Sequence, residues 1–316
     1  MMRKSCTKNG DSPISTIHWE IRVIVHARFG WLNPFEMTIK AFRQNFNESL
    51  ASVYPTVEID SLFFQLMEHV LNIGRAEIIL NINTELNQDV ENDVVQFMNR
   101  LEKKEPIQYI IGQTSFAGIP IHLNHHVLIP RPETESLVYW IKSREPDDLA
   151  ILDICSGSGC IAFALENHIN ARVTAWDISN KALTVAKQTA ASIGSNVSFS
   201  QVDILKQIQT QDRWDVIVSN PPYVLEVEKP QIHANVLEYE PHLALFSSRE
   251  DPIQFYRAVI QFAALHLCPG GRLYFELNPK TAKAVISLLK TMDFIDIVVE
   301  NDMQNQARML VAKTKK

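Results

Sequence analysis

Apolar residues recur at helical spacing between residues 37 and 104. One stripe occupies positions 59, 62, 63, 66, 67, 70 and 71, and a second occupies positions 90, 94, 97 and 101. Residues three and four apart share one face of a helix, so each stripe predicts an amphipathic helix, with Gly74 between the two. We therefore expect residues 37–104 to form a small helical domain whose stripes pack in its own core.

The pattern changes to strand-like alternation after residue 104. Residues 105–130 alternate and turn around the Gly-Ile-Pro at positions 118–120, which predicts a β-hairpin linker. A helix is then predicted at the start of a second domain, residues 131–316. Arg131 and Glu133 serve either as caps of that helix or as residues at a pocket mouth, and the sequence leaves both roles open.

Short apolar runs alternate with helical segments in the remainder of the chain. This alternation predicts an α/β fold built on a mostly parallel sheet, and the last two runs predict a final pair of strands that includes an antiparallel one. The predicted strands are Leu149–Ile154, Ala171–Trp176, Val197–Val202, Trp214–Ser219, Gly271–Leu277, Met292–Glu300 and Ala307–Ala312.

Four of these strands carry a hydrogen-bonding side chain at the carboxyl end: Asp153, Asp177, Asp203 and Asn220. Ligands of open α/β sheets bind at that edge. Asp177 follows Gly159 at about the spacing of an acid that accepts ribose hydroxyls; the alternative is a helix N-cap, and both roles can hold at once. The four positions together predict a nucleoside-binding edge.

A glycine turn follows the first of these strands, in the segment Cys155-Ser-Gly-Ser-Gly-Cys160. Gly157 and Gly159 lack Cβ atoms, so a ligand can approach the backbone N–H groups closely. The turn is shorter than G-x-G-x-x-G and lacks the lysine of a P-loop. It therefore favours a ligand with a carboxylate and an adenosine over a pyrophosphate, and Asp153 is placed to receive a ligand ammonium through water or backbone.

The tetrapeptide Asn220-Pro221-Pro222-Tyr223 ends the fourth strand of this domain. The Asn220 carbonyl accepts a hydrogen bond from an NH2 group, and Pro221 has no N–H that competes for the same position. Tyr223 offers a flat face to a planar amide or base. The motif predicts a clamp for a planar group bearing NH2, while the alternative is an ordinary proline-rich surface turn.

Composition narrows the classes of partner. The 30 basic and 36 acidic residues give a formal charge of −6, which disfavours sequence-independent binding to nucleic acid. The four cysteines form no C-x-x-C pair and the ten histidines no H-x-x-x-H pattern, so we expect a reducing compartment and no metal site. No apolar run is long enough for a membrane span.

Residues 1–36 are predicted to be an extension outside the main fold. The first fifteen residues are polar, and charged residues interrupt the apolar positions that follow. We expect either that Met37 is the working start or that residues 1–36 are dispensable. The alternative is a genuine additional helix over residues 17–29.

The combination of motifs resembles the release factor glutamine methyltransferases, often labelled HemK, within the class I S-adenosylmethionine-dependent methyltransferases. The resemblance spans about residues 37–312. It implies a seven-stranded, Rossmann-like methyltransferase sheet with helices on both faces, preceded by a helical domain that docks the protein substrate. The matching stretches are Glu105–Gly112, Val127–Glu135, Asp153–Gly159, Ser219–Tyr223, Glu240–Leu245 and Pro269–Gly271.

The resemblance implies that the glycine turn wraps the methionine end of S-adenosylmethionine. It implies ribose contact from Asp177, adenine contact from Asp203 and Ile204, and a substrate glutamine held against Asn220, Pro221 and Tyr223, the expected catalytic residues. Pro222 completes the expected substrate-binding set. The expected cofactor-binding residues are Asp153, Cys155, Ser156, Gly157, Ser158, Gly159, Asp177, Asp203, Ile204 and Asn220.

Four positions depart from the usual family pattern. Cys155 and Ser156 stand where relatives usually carry glycine or threonine, and both are small enough to serve. Ile204 replaces an aromatic residue, so the contact with adenine becomes aliphatic. Asn278 stands where a glycine is common, which leaves the geometry of that loop open.

The expected activity is methyl transfer to the N5 amide nitrogen of the glutamine in the GGQ motif of peptide chain release factors, by a cytoplasmic monomer. Glutamine methylation of a ribosomal protein and N6-adenine methylation of nucleic acid are the alternatives, and a non-catalytic binding protein is a third class. Residues 224–250 show little periodicity and contain Glu238, Glu240, Pro241 and His242. A loop of this length predicts a flap that faces the substrate.

Overall fold

The structure, a computed structural model, describes residues 37–302 and 304–315. The described residues divide into two compact units, with the boundary between Ile110 and Ile111. The predictions for residues 1–36 lie outside the described residues. In the two described ranges, none of the helices has the length and apolar character needed to cross a lipid bilayer.

Residues of both predicted stripes contribute to the core of the first unit, although Val90 and Phe97 of the second stripe are only partly buried. The rings of Phe42 and Phe46 lie 5.7 Å apart and those of Phe46 and Phe63 lie 5.8 Å apart, all three fully buried. A short helix that the stripes did not predict begins directly after Gly74. The helices up to the boundary are α1 (Ile39–Leu50), α2 (Thr56–Leu71), α3 (Arg75–Leu80), α4 (Gln88–Glu102) and α5 (Ile107–Ile111).

The predicted hairpin is present, but it is shorter than the alternating segment suggested. Strands β1 (Gln113–Phe116) and β2 (Ile119–His122) pair antiparallel, and residues 107–111 are helical. The chain turns at Ala117 and Gly118, which have positive φ, rather than around positions 118–120. Pro120 belongs to β2, where it is tolerated because each strand of a two-stranded sheet is an edge.

A seven-stranded sheet organises the second unit, as the sequence predicted. Its order is β5-β4-β3-β6-β7-β9-β8; the first five strands are parallel, and β9 runs antiparallel to both neighbours. The strands are β3 (Ala150–Ile154), β4 (Arg172–Asp177), β5 (Ser198–Gln201), β6 (Trp214–Ser219), β7 (Leu267–Glu276), β8 (Ile295–Asn301) and β9 (Ala307–Lys313).

The central strands are covered on both faces. Successive residues of β3 and β6, such as Ile151 and Leu152 or Val216 and Ile217, are all fully buried. Neighbouring residues of a strand point to opposite faces, so both faces of this sheet carry helices. The helices of this unit are α6 (Pro132–Lys142), α7 (Cys160–Ile169), α8 (Asn180–Ile193), α9 (Ala234–Tyr239), α10 (His242–Leu245), α11 (Gln254–His266) and α12 (Ala282–Thr291).

Candidate active site

A cavity of about 220 Å³ opens at the carboxyl ends of the parallel strands. Its walls come from the segments that follow β3, β4, β5 and β6, as expected for a ligand site of an open α/β sheet. The predicted site residues that line it are Cys155, Ser156, Gly157, Ser158, Asp177, Asp203, Ile204, Asn220 and Pro222.

Four predicted site residues do not line this cavity: Asp153, Gly159, Pro221 and Tyr223. Gly159 has a packing role, because its φ is +78° and an added Cβ would lie 2.8 Å from the ring of Phe163. It is the N-cap of α7 and lets the chain enter that helix tightly. The glycine turn thus combines one position that faces the cavity with one that is closed by packing.

The glycine turn is open where the ligand is expected. Gly157 has a φ of +54°, and an added Cβ there would meet nothing within 4 Å. The backbone N–H of Gly157 donates to Asp177 Oδ2 at 2.8 Å, which ties the turn to the end of β4. Burial and the neighbouring Asp177 carboxylate raise the pKa of the Cys155 thiol, so Cys155 contributes a neutral, largely apolar wall.

Asp177 is held by the backbone on both sides. Its Oδ1 accepts from the Ser179 N–H at 2.8 Å, while its Oδ2 accepts from Gly157. The N-cap of α8 is Ser179, whose side chain accepts from the Ala182 N–H at 3.2 Å, so Asp177 is not the cap. Burial raises the pKa of Asp177, and the two backbone donors oppose that shift. The carboxylate is therefore fixed in direction beside the cavity, with lone pairs left for further donors.

Two buried side chains near the turn lack partners. Both carboxylate oxygens of Asp153 and the Ser156 hydroxyl have no hydrogen bond within residues 37–302 and 304–315. Burial, followed by the charge of Asp177, raises the pKa of Asp153 well above its ordinary value. The nearby Ala162 N–H opposes that shift, but burial dominates, and a cationic ligand group close to the acid lowers the cost of burying it. This part of the site fits a ligand that carries an ammonium group.

The Asn220 amide is fixed in orientation. Its Nδ2 donates to Glu276 Oε2 at 2.9 Å and to Thr134 Oγ1 at 3.2 Å. Only the nitrogen of the amide can face a carboxylate favourably, because Oδ1 has no hydrogen to donate. Since Asn220 lines the cavity, Oδ1 is the amide atom left to a ligand.

Glu276 is a site residue that the sequence analysis missed. It lies at the end of β7, is 1% exposed, and also accepts from the Tyr223 hydroxyl at 2.7 Å. Burial raises the pKa of Glu276, and the hydrogen bonds from Thr134 and Tyr223 oppose the shift. The rule that singled out acids at the ends of the other parallel strands applies equally to β7 and would have found it.

Asn278 holds the segment that contains Tyr223 and Glu228. Its side-chain Nδ2 donates to the Tyr223 carbonyl at 3.0 Å and to Glu228 Oε2 at 2.7 Å. The residue is 3% exposed, so these bonds satisfy an otherwise buried amide. Asparagine at this position thus ties the end of β7 to the last residue of the Asn220–Tyr223 segment, called the amide motif below, and to the start of the flap, residues 224–250.

The flap is folded rather than irregular. Residues 224–250 contain a 3₁₀ helix (Glu226–Gln231) followed by α9 and α10. Glu240 is buried and accepts from the Arg131 guanidinium and from the Ile129 N–H. Arg131 occupies the N-cap position of α6 without a side-chain cap bond, so the described contact of its side chain is with the flap.

Two family models match this chain. A methyltransferase small domain matches residues 133–242, and a PrmC N-terminal domain matches residues 45–112. Together with the seven-stranded sheet and the cavity at its carboxyl edge, the first match defines the chain as a methyltransferase. The expectation of an enzyme with a Rossmann-like methyltransferase fold is therefore confirmed.

Curated relatives resemble nearly the whole chain. A release factor glutamine methyltransferase of Flavobacterium psychrophilum is 40% identical over 87% of this chain and 98% of its own length. The relative of the same description from Bacteroides thetaiotaomicron is 38% identical over 84% of this chain and 96% of its own length. The chain therefore belongs to the release factor glutamine methyltransferase family.

S-adenosylmethionine is the cofactor of this methyltransferase, as expected from the sequence. The residues present fit it: the Ser156 hydroxyl, which lines the cavity and has no partner among the described residues, suits its amino acid end, and the open space at Gly157 admits it close to the backbone. Asp177 and Ile204 also line the cavity. Within the described ranges, no cluster of three or more potential metal ligands occurs.

Proposed function

We propose that this enzyme transfers a methyl group from S-adenosylmethionine to the N5 amide nitrogen of the glutamine in the GGQ motif of peptide chain release factors. The names of its relatives support release factors as the substrate class. We further propose that it acts in the cytoplasm on the protein substrate without direct contact to nucleic acid. The acidic charge balance supports the latter point.

One observation carries the proposal: the Asn220 amide turns its nitrogen toward Glu276 and Thr134 and leaves its carbonyl oxygen to the cavity. A carbonyl oxygen is an acceptor only, so it binds an NH2 group. A primary carboxamide is such a group, and its nitrogen is a poor nucleophile because its lone pair is delocalised. The main task of this site is therefore to place that nitrogen.

Placement follows from the residues of the amide motif. Asn220 Oδ1 accepts one N–H of the substrate amide, and the Pro221 carbonyl is proposed to accept the other. Two acceptors fix the amide plane and direct the nitrogen lone pair toward the cofactor-binding end of the cavity. Orientation of this kind lowers a barrier by roughly 7–11 kcal/mol. No strong base is required, because the methylated amide can release its proton to water.

The cofactor is assigned to the residues around the glycine turn. We propose that Ser156, Gly157 and Ser158 hold its amino acid end and that Asp177 accepts its ribose hydroxyls. Asp203 and Ile204 would contact the adenine, with the aliphatic side chain packing on the ring. When bound, S-adenosylmethionine supplies an electrophilic methyl group on a positively charged sulfur.

A labelling experiment tests the substrate class. The protein is incubated with methyl-labelled S-adenosylmethionine and, separately, with a release factor, ribosomal proteins or DNA. We expect label in the release factor, located on the GGQ glutamine by tandem mass spectrometry. Label in ribosomal proteins alone or in DNA alone would overturn the proposal in favour of one of the alternative substrates.

A further inference from the structure

Three donors converge on one buried carboxylate behind the Asn220 amide. Glu276 Oε2 accepts from Thr134 Oγ1 at 2.6 Å and from Asn220 Nδ2 at 2.9 Å. Glu276 Oε1 accepts from the Tyr223 hydroxyl at 2.7 Å. Glu276 thus acts as the acceptor toward all three neighbours, and each neighbour presents a hydrogen to it.

Thr134 restricts the Asn220 amide to one orientation. Its hydroxyl has a single proton, which is donated to Glu276, so Thr134 Oγ1 can only accept from Asn220 Nδ2. Rotation of the Asn220 amide by 180° would place Oδ1 against the carboxylate and the threonine lone pairs. It would remove two hydrogen bonds and add a repulsive contact inside a buried region. The amide therefore has one stable orientation.

We infer that Glu276 is a positioning residue that makes this site selective for a primary carboxamide over a carboxylate, by holding Asn220 with only its carbonyl oxygen toward the substrate. The inference rests on the proposed function. If a glutamate replaced the substrate glutamine, a carboxylate oxygen would face the Asn220 carbonyl oxygen. Both atoms are acceptors, so no hydrogen bond could form between them. Such a contact leaves buried polar groups unpaired, which sites discriminate against strongly.

The chain offers a matched control for burial of a glutamate next to the same strand. Glu145 is 9% exposed, accepts from the Tyr274 hydroxyl of β7 at 2.5 Å and pairs with Arg272. It does not line the cavity. Loss of its charge changes a buried network of similar chemistry without touching the Asn220 amide. Effects shared by both glutamates are therefore structural, and effects confined to Glu276 concern the site.

The test compares wild type with Glu276→Gln, Thr134→Val and Glu145→Gln. For each protein we measure kcat and KM with a release factor, cofactor affinity by calorimetry, and the unfolding midpoint. A fourth measurement is the affinity for a release factor in which the GGQ glutamine is replaced by glutamate. Compared with the affinity for the unmodified release factor, this affinity reports selectivity. It responds to the orientation of Asn220 rather than to stability.

We expect Glu276→Gln to lower kcat by about 100-fold, because a glutamine can donate to Oδ1 and allow the Asn220 amide to turn. Cofactor affinity should stay at the wild-type value. The preference for the glutamine form of the release factor over the glutamate form should fall by at least about tenfold. Thr134→Val should lower kcat by about tenfold, because one of two bonds to Nδ2 is lost.

Glu145→Gln should lower the unfolding midpoint and leave kcat and selectivity unchanged. The inference is overturned if Glu276→Gln keeps the wild-type kcat and selectivity. It is equally overturned if both Glu276→Gln and Thr134→Val behave like Glu145→Gln, with a loss of stability alone. Thr134→Val retains the buried carboxylate, so it keeps the test available if Glu276→Gln does not fold.

A measurement without substrate separates this inference from the proposed function. The side-chain NH2 resonance of Asn220 should exchange slowly with solvent in wild type, because both bonds to Nδ2 protect it, and faster in Glu276→Gln. Fast exchange in wild type would overturn the orientation itself. Slow exchange in a wild-type enzyme that does not methylate release factors would overturn the proposed substrate and leave the orientation standing.

Discussion

Substitution of Asn220 by aspartate places a second carboxylate against Glu276. The substituted oxygen would lie about where Nδ2 now lies, 2.9 Å from Glu276 Oε2. Two unit charges at that distance repel by about 6 kcal/mol at an effective dielectric constant of about 20. Repulsion of this size raises the pKa of the pair well above the ordinary carboxyl range. The pair therefore keeps one proton at mildly acidic pH.

The shared proton has a definite consequence for activity. When it bridges residue 220 and Glu276, the aspartate still offers an acceptor oxygen to the cavity, so Asn220→Asp should retain measurable methyl transfer at mildly acidic pH. Activity should fall as the pH rises through the raised pKa, because loss of the shared proton leaves two carboxylates that repel each other and disturb the position of residue 220. Asn220→Ala, which offers no acceptor at any pH, is the control, and it should bind the cofactor while transferring almost no methyl group.

Stability of Asn220→Asp should follow the same titration. The folded pair binds more protons than the unfolded chain above the ordinary carboxyl range, so the free energy of unfolding falls as pH rises. Urea unfolding at several pH values measures this, with wild type as the reference. The reasoning is refuted if Asn220→Asp is as inactive as Asn220→Ala at every pH and its stability varies with pH as wild type does.

Three further substitutions probe the surrounding structure. Asp153→Asn should flatten the pH dependence of stability in cofactor-free protein. The raised pKa of Asp153 makes wild type lose stability as pH rises above the ordinary carboxyl range. An unchanged dependence of urea unfolding on pH would contradict this. Glu240→Gln weakens the ion pair between Glu240 of the flap and Arg131, and it should speed limited proteolysis within residues 224–250. Cleavage at the wild-type rate would show that this pair does not hold the flap in place. Gly159→Ala should cost about 1–3 kcal/mol in unfolding, since its Cβ meets the Phe163 ring at 2.8 Å, and Gly157→Ala should cost less; the reverse order would be evidence against the packing role.

The sequence predicted the sheet because its signals are local. Each buried strand is a short apolar run, and the helices between them are bounded by glycine or by capping residues such as Ser179. The parallel order follows from the alternation of strands and helices. The turn of the hairpin was predicted less accurately, because it depends on a positive φ at Ala117 and alanine rarely adopts that conformation.

The residues that line the cavity were predictable where they lie at or directly after a strand end. Partners far apart in sequence were not, because nothing local links Thr134, Asn220 and Glu276, which are separated by 86 and 56 residues. The contact of Arg131 with Glu240 spans 109 residues and was equally hidden. Spatial convergence of this kind comes from the sheet topology, so only the folded chain displays it.

The orientation of the Asn220 amide toward a substrate glutamine is the central claim. It is tested most directly by a crystal structure of the enzyme with S-adenosylhomocysteine and a peptide containing the GGQ motif. We predict the glutamine amide nitrogen within hydrogen-bonding distance of Asn220 Oδ1 and of the Pro221 carbonyl, with Asn220 Nδ2 still on Glu276. A glutamine bound elsewhere, or an Asn220 amide that turns Nδ2 toward the peptide, would contradict the account.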